Sequence, residues 1–359
     1  MKTPETPLRS ETALAVAEVL ARAADSTLHD QGATSRQWQS FVGAGWPWAA
    51  VSEVRGGAGG SVDDAADILR EVGRAGAAVP AGETDLLGEW LLRQADLPSP
   101  AELLAVAPGT SLDDLRIQGH GDAATLTGTA HRVPWASASE RFVALVTDGT
   151  INHVVSVALG RLTVVGQKSL AGEARDSVTA NGILLAHEEA RAVPSVEALH
   201  FRARGAASRV LLIQGAVDAI VDLVDSYCTT RTQFGRRLRD FQVVVHQLAL
   251  LREHRAMVAA AAGLAVDVLN DIGSWEEAAA AKIAAGEIAT YVAKTAHQLH
   301  GAIGVSEEYA LHRFTQRLWA WRDEYGGEHE WATRLGTVLV ARGAEALWPW
   351  MTRSPMDER

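Results

Sequence analysis

The chain has 359 residues, of which 47% are hydrophobic and 21% charged, with a formal net charge of −11 and a single cysteine, Cys228. That length supports two or three packed units of ordinary globular composition. The acidic balance, without a Lys/Arg-rich block, argues against a nucleic-acid binder, and one cysteine excludes a disulfide framework and a cysteine-ligated metal site. No metal centre is expected.

The start, Met1–Pro7, lacks the apolar segment of a secretory signal. Apolar helices such as Met257–Leu269 meet charge before the ~20 residues a membrane span needs. A cytoplasmic protein without a membrane span is therefore expected. Glu11–Ala24 predicts a helix with Leu14, Val16, Val19 and Leu20 on its apolar face, and Ser35–Gly43 a second. Gly45–Gly60 is a turn-rich crossing. Its Gly56-Gly-Ala-Gly-Gly60 run follows no strand and lacks Lys-Ser/Thr, so a structural turn is expected rather than a phosphate loop. Ser61 and Asp63 suit the cap of a helix reaching Arg74, and Asp85–Gln94 suggests another.

From about Pro98 the pattern changes to short β-branched runs at Ala124–Val133, Arg141–Thr147, Ile151–Ala158 and Arg161–Val165. Asp148-Gly149 suits a hairpin turn. After Pro194 the chain is helical, with helices expected near 197–229, 239–271, 274–300, 306–323 and 329–347. The fold class is mainly α with a small central β domain. Residues 1–97 form an N-terminal helical domain, 98–194 a β-barrel-like middle domain, and 195–359 a C-terminal four-helix bundle with an extra helix. Tryptophans in Trp46–Trp48 and Trp319–Trp350 suggest a bulky apolar surface or interface.

Two stretches of the helical region carry polar groups that a helical core does not need. One is Arg231-Thr-Gln-Phe-Gly235, followed by Leu238 and Phe241-Gln242; the other is His297-Gln-Leu-His-Gly-Ala-Ile-Gly304. Arg231 and Gln233 bracket a helix break at Gly235, after which Leu238, Phe241 and Gln242 return at helical spacing. An Arg, two amides and a Gly-punctuated turn make a cradle for a diphosphate and a sugar. His300 and His246 suit core or interface positions better than proton transfer.

With Gly45-Trp-Pro, Gly56–Gly60, Glu71-Val-Gly-Arg74, Leu126-Thr-Gly-Thr and Val133–Ala138, these blocks resemble the acyl-CoA dehydrogenase family along nearly the whole chain. The resemblance implies FAD bound across a subunit interface. Arg231, Gln233 and Phe234 would hold the diphosphate and adenosine half with Leu238 and Gln242 nearby; Gln298, Gly301 and Ala302 would lie along the cofactor. It also implies an acyl-CoA substrate, α,β-dehydrogenation, an electron-transfer flavoprotein as acceptor, and a homo- or heterodimer or tetramer through the C-terminal bundle.

In the family a Glu removes the α-proton, from one of two places. Counted from Gly301, the first place falls on Tyr325, with Glu324 one residue earlier; a one-residue shift on a helix turns a side chain by ~100°. Counted back from Gly235, the second falls on Gly205-Ala206, with Arg204 and Glu197 out of register. The family's Thr-Glu-Pro-x-x-Gly-Ser-Asp loop has only a degenerate counterpart, Ala107–Asp113. Glu324 is thus the catalytic candidate, or else a solvated member of the cluster around Arg322-Asp323. The pattern is similar to the non-catalytic subunit of heteromeric enzymes of bacterial sterol side-chain degradation, which would complete a partner's FAD site. The alternatives are an autonomous homo-oligomeric dehydrogenase or flavin hydroxylase using Glu324 or another carboxylate, and a flavin-free structural homologue.

Overall fold

A computed structural model describes residues 10–22, 36–119 and 124–352. The start Met1–Pro7 and the expected helix ends at Ala23, Ala24 and Ser35 lie outside the described residues. The helices α1 (Glu11–Arg22), α2 (Arg36–Gly43), α3 (Val62–Ala75) and α4 (Glu89–Gln94) precede the sheet. Helix α3 starts on a capping box in which the Ser61 hydroxyl accepts from the Asp64 amide and the Asp64 carboxylate accepts from the Ser61 amide. The sequence had put Ser61 and Asp63 at this cap; Ser61 holds it, with Asp64 in place of Asp63. Residues Glu83–Gly88 wind as a π-helix before α4 rather than as its first turn, a form that recurs at functional sites.

The glycine run folds back on residues 48–52: Ala58 donates to Trp48 and Gly59 to Val51. A Cβ on Gly57 would lie 2.2 Å from the Val51 carbonyl oxygen, so this is a structural turn.

The middle of the chain forms an eight-stranded sheet. Its strands are β1 (Leu104–Val106), β2 (Arg116–Gln118), β3 (Thr125–Pro134), β4 (Arg141–Thr147), β5 (Asn152–Ala158), β6 (Thr163–Val165), β7 (Arg175–Leu184) and β8 (Ala190–Ala192). The order is β6-β7-β3-β2-β4-β5-β8, with β1 added parallel to β4. Strands β1, β2, β7 and β8 were not legible as periodic runs: three span three residues each, and the fourth opens on buried charge, Arg175-Asp176. The sheet has its own core around Leu126, Phe142 and Val157.

Helices α5 (Ala198–Thr230), α6 (Gln242–Leu269), α7 (Trp275–His300) and α8 (Leu311–Asp323) form the bundle, followed by α9 (Glu328–Arg342) and α10 (Ala344–Thr352). Five of these match the expected helices to within a few residues. Residues 306–310 do not join α8, because Gly301–Val305 winds as a tight 3-10 turn first. We propose domain boundaries near 97 and 194, although the N-terminal helices share one apolar core with the bundle. Of the tryptophans thought to mark an interface, Trp321 and Trp331 lie in that core, while Trp348 is 70% exposed.

Helices α3 and α5 cross at paired glycines. A Cβ on Gly73 would lie 2.1 Å from the Leu212 carbonyl oxygen, and one on Gly215 would lie 1.9 Å from that of Arg70. Because backbone stands in the way, Gly215→Ala must push the helices apart. The expected loss is about 1–3 kcal/mol in urea unfolding, and an unchanged midpoint would contradict the crossing.

Candidate functional site

The first predicted segment is not a simple helix break. After α5, β9 (Thr232–Gln233) and β10 (Arg236–Arg237) pair antiparallel as a two-residue hairpin, with Arg236 opposite Gln233. Its tip is Phe234-Gly235, with φ of +50° and +78°. Positive φ at both positions is the turn geometry that matches strand twist, yet at Phe it is strained. That Phe234 side chain is 92% exposed. A strained aromatic held out into solvent suits a contact surface better than a core. Helical spacing does not resume at once: Leu238 sits in a 3-10 turn, and Gln242 is the first residue of α6.

The second segment meets the first through an aromatic cluster. The Tyr227 ring stacks on His300 with centroids 4.5 Å apart, and its hydroxyl donates to the His300 carbonyl at 3.3 Å. His300 also pairs with the Tyr309 hydroxyl at 3.1 Å, and burial lowers its pKa. Tyr227 lies one helical turn before Arg231, whose amide donates to the Tyr227 carbonyl. His300 immediately precedes Gly301. The two sequence blocks are therefore neighbours in space. Arg231, Gln233, Gln242, Gln298, Gly301 and Ala302 are exposed, and Leu238 is half-buried. Gly301 has φ +63° and nothing within 4 Å of a built Cβ, an open cradle for a flat ligand.

The sheet, α8 and the turn after α8 enclose a cavity of about 730 Å³. Its walls include the degenerate loop Pro108–Leu112, Arg132 at the end of β3, the β6–β7 connection, and Glu324–Gly327. Thr110 and Asp113 close the loop through a 2.9 Å side-chain hydrogen bond, and Asp113 also accepts from the His131 amide.

Both positions matched to the family's Glu meet beneath this cavity. Tyr325 is 4% exposed, with φ +55°. Its ring lies over Gly205: a Cβ there would be 2.1 Å from Tyr325 Cδ1. A residue larger than glycine at 205 and the tyrosine at 325 exclude one another. The Tyr325 hydroxyl is buried without a hydrogen-bond partner among the described residues, and burial raises its pKa.

Glu324 is clamped. Its Oε1 accepts from Arg175 Nε at 2.7 Å and its Oε2 from Arg209 Nε at 2.6 Å. Burial raises its carboxyl, but Arg175 and then Arg209 overcome this and hold it at about 2. Arg209 reaches Glu83 at 2.7 Å and Arg175 reaches Glu173 at 2.9 Å; Glu173 also pairs with Arg317 at 3.1 Å. Glu83, Arg209, Glu324, Arg175, Glu173 and Arg317 form one alternating ladder joining the π-helix, α5, the turn after α8, β7 and α8. Apart from Glu324, with a 16% exposed side chain, its members' side chains are at most 7% exposed. Beside it, burial pushes the Lys282 ammonium down to about 7 against the pull of Glu324; Lys282 donates to the Arg322 and Gly326 carbonyls.

Sequence reasoning singled out Glu324 but missed Glu83, Glu173, Arg175, Arg209 and Arg317. Apart from the neighbouring pair Glu173 and Arg175, no short spacing links them: Glu83 and Arg209 are 126 positions apart. Arg204 holds the end of α6, donating to the Leu269 carbonyl at 3.0 Å and lying 4.5 Å above the Trp90 ring. Glu197 caps α5.

Residues 198–334 match the family described as acyl-CoA dehydrogenase, C-terminal domain. The chain is 29% identical over 274 residues, 74% of either chain, to acyl-CoA dehydrogenase IpdE2 of Mycobacterium tuberculosis. The fold is also that of solved enzymes. Butyryl-CoA dehydrogenase from Megasphaera elsdenii superposes with a TM-score of 0.82 at 16% identity, covering 95% of this chain and 100% of that one. Residues 198–334 thus carry the acyl-CoA dehydrogenase C-terminal domain, and the chain is similar to proteins of that family over most of its length. A chain of the ChsE4-ChsE5 complex from M. tuberculosis superposes at 0.78 with 23% identity, covering 92% and 97%. Among the described residues no helix is long and apolar enough to cross a membrane.

Proposed function

We propose that this chain is the non-catalytic subunit of a heteromeric acyl-CoA dehydrogenase, contributing the adenosine–diphosphate half of an FAD site whose base a partner subunit supplies. The observation that carries the reading is the contact between Tyr325 and Gly205. Both positions at which the family places its proton-abstracting Glu are closed against each other by an aromatic ring. Glu324 does not replace that Glu. A base must be able to take a proton near neutral pH, whereas Glu324 is held ionised by two guanidiniums through both oxygens. Its work is to join elements. The resemblance to a chain of the ChsE4-ChsE5 complex, an assembly of two components, supports a heteromer.

The exposed groups fit the cofactor's distal half. Arg231 offers a planar fork for phosphate oxygens, with Gln233 and Gln242 as amide partners, Phe234 and Leu238 as apolar cover, and Gln298, Gly301 and Ala302 along the ligand. When bound, FAD supplies hydride acceptance; this chain's residues bind and orient it. Their exposure supports a site completed by another chain docking through the bundle. The substrate would be an acyl-CoA and the final acceptor an electron-transfer flavoprotein, in the cytoplasm.

The experiment is purification of the chain alone and co-expressed with a family homologue that carries the Glu. The chain alone is expected to lack dehydrogenase activity and to hold little flavin, while the co-expressed pair co-elutes, is yellow and turns over. Arg231→Ala in the pair is expected to lower flavin content about tenfold or more at limiting FAD, the loss of a charge-assisted phosphate contact. A yellow, fully active homo-oligomer of the chain alone would overturn the proposal.

A further inference from the structure

The cavity has an electrostatic feature that the flavin-completing role leaves unused. Glu324 is matched by Arg175, Glu330 by Arg202 at 2.7 Å, and Asp323 by Arg322 at 3.0 Å. Two further cations on the wall, Arg132 and Lys168, have no ion-pair partner among the described residues. In a chain of net charge −11, a cavity with two unmatched positive charges is set apart from its surroundings.

Its construction is specific. The β3–β7 register shifts between Ala130 and Val133, and Arg132 sits in that bulge with φ +56°. A bulge re-aims a side chain, and positive φ at an arginine is costly enough to need support from its surroundings. The fully buried Val133 and the buried Pro134 that follow supply it. Lys168 is fixed by its own bridge to Ala174 at the turn into β7.

We propose that Arg132 and Lys168 form an anion-binding subsite of the cavity, taking a carboxylate or phosphate carried by its ligand. The two sources are a second carboxylate on the acyl group and a phosphate of the CoA moiety. The choice of probes rests on the acyl-CoA reading above; the subsite itself rests on the charges.

The test is titration calorimetry on the full chain, with any co-purifying partner, using glutaryl-CoA, butyryl-CoA, free CoA and glutarate. It is run on the unaltered protein and on Arg132→Met and Lys168→Met. Both side chains are exposed, so the variants should melt at the unaltered temperature. Each is expected to weaken binding about tenfold or more, the scale of one charged contact. Weakening confined to glutaryl-CoA assigns the subsite to an acyl carboxylate. Equal weakening for all three CoA compounds assigns it to a phosphate. Binding of glutarate alone, lost in the variants, keeps the subsite and removes the acyl-CoA reading. Affinities unchanged within about twofold for every probe, or no binding by any of them, overturn the proposal.

Discussion

Arg209→Met is expected to lower the unfolding free energy by about 3–5 kcal/mol, the scale for removing one partner of a buried ion pair. Arg209 is 1% exposed and stands between Glu83 at 2.7 Å and Glu324 at 2.6 Å. Methionine fills similar space but leaves Glu83 without its cation and Glu324 with Arg175 alone. Burial already raises Glu83, so loss of Arg209 drives it towards protonation and frees the π-helix from α5. Urea unfolding followed by far-ultraviolet circular dichroism measures the loss. A change below about 1 kcal/mol would mean that the ladder contributes little to stability.

Glu324→Gln separates brace from base. If Glu324 serves only the ladder, the substitution removes its charge and one of its two accepting oxygens while Arg175 and Arg209 keep Glu173 and Glu83 as partners. The expected loss is about 1–3 kcal/mol, with turnover of the folded assembly unchanged within about twofold. A catalytic base lost in this way would instead slow the reaction by about 10²–10⁴. Acid unfolding gives a second readout. The folded carboxyl titrates at about 2, against 4.5 when unperturbed. Its contribution is therefore complete above about 4.5 and is lost as pH falls through about 2. The Gln variant should show a shallower decline in stability across that window.

The helices of the bundle were legible because Ala- and Leu-rich runs repeat at helical period between glycine breaks, and a period of that length needs no tertiary partner to be seen. Hairpin β9–β10 was not. Arg231–Gly235 had been read as a break followed by renewed helix, but Phe234 at φ +50° makes a tight turn there. Short strands such as β1 and β8 carry too few residues to show alternation. Arg132 drew no notice in the sequence either, since only the bulge before Val133 turns it into the cavity wall.

The sequence by itself determined the order of helices, sheet and bundle, the family resemblance, and the two polar segments around Arg231 and Gln298, because each is written in contiguous residues. It also showed that no Glu falls at 325 or at 205. Only the tertiary structure decided what fills those places. Gly205 and Tyr325 are distant in the chain, and their mutual exclusion is a matter of ångströms between a ring and a missing Cβ. The same holds for Glu324: a carboxylate's protonation is set by the charges that folding brings to it, and here these are Arg175 and Arg209.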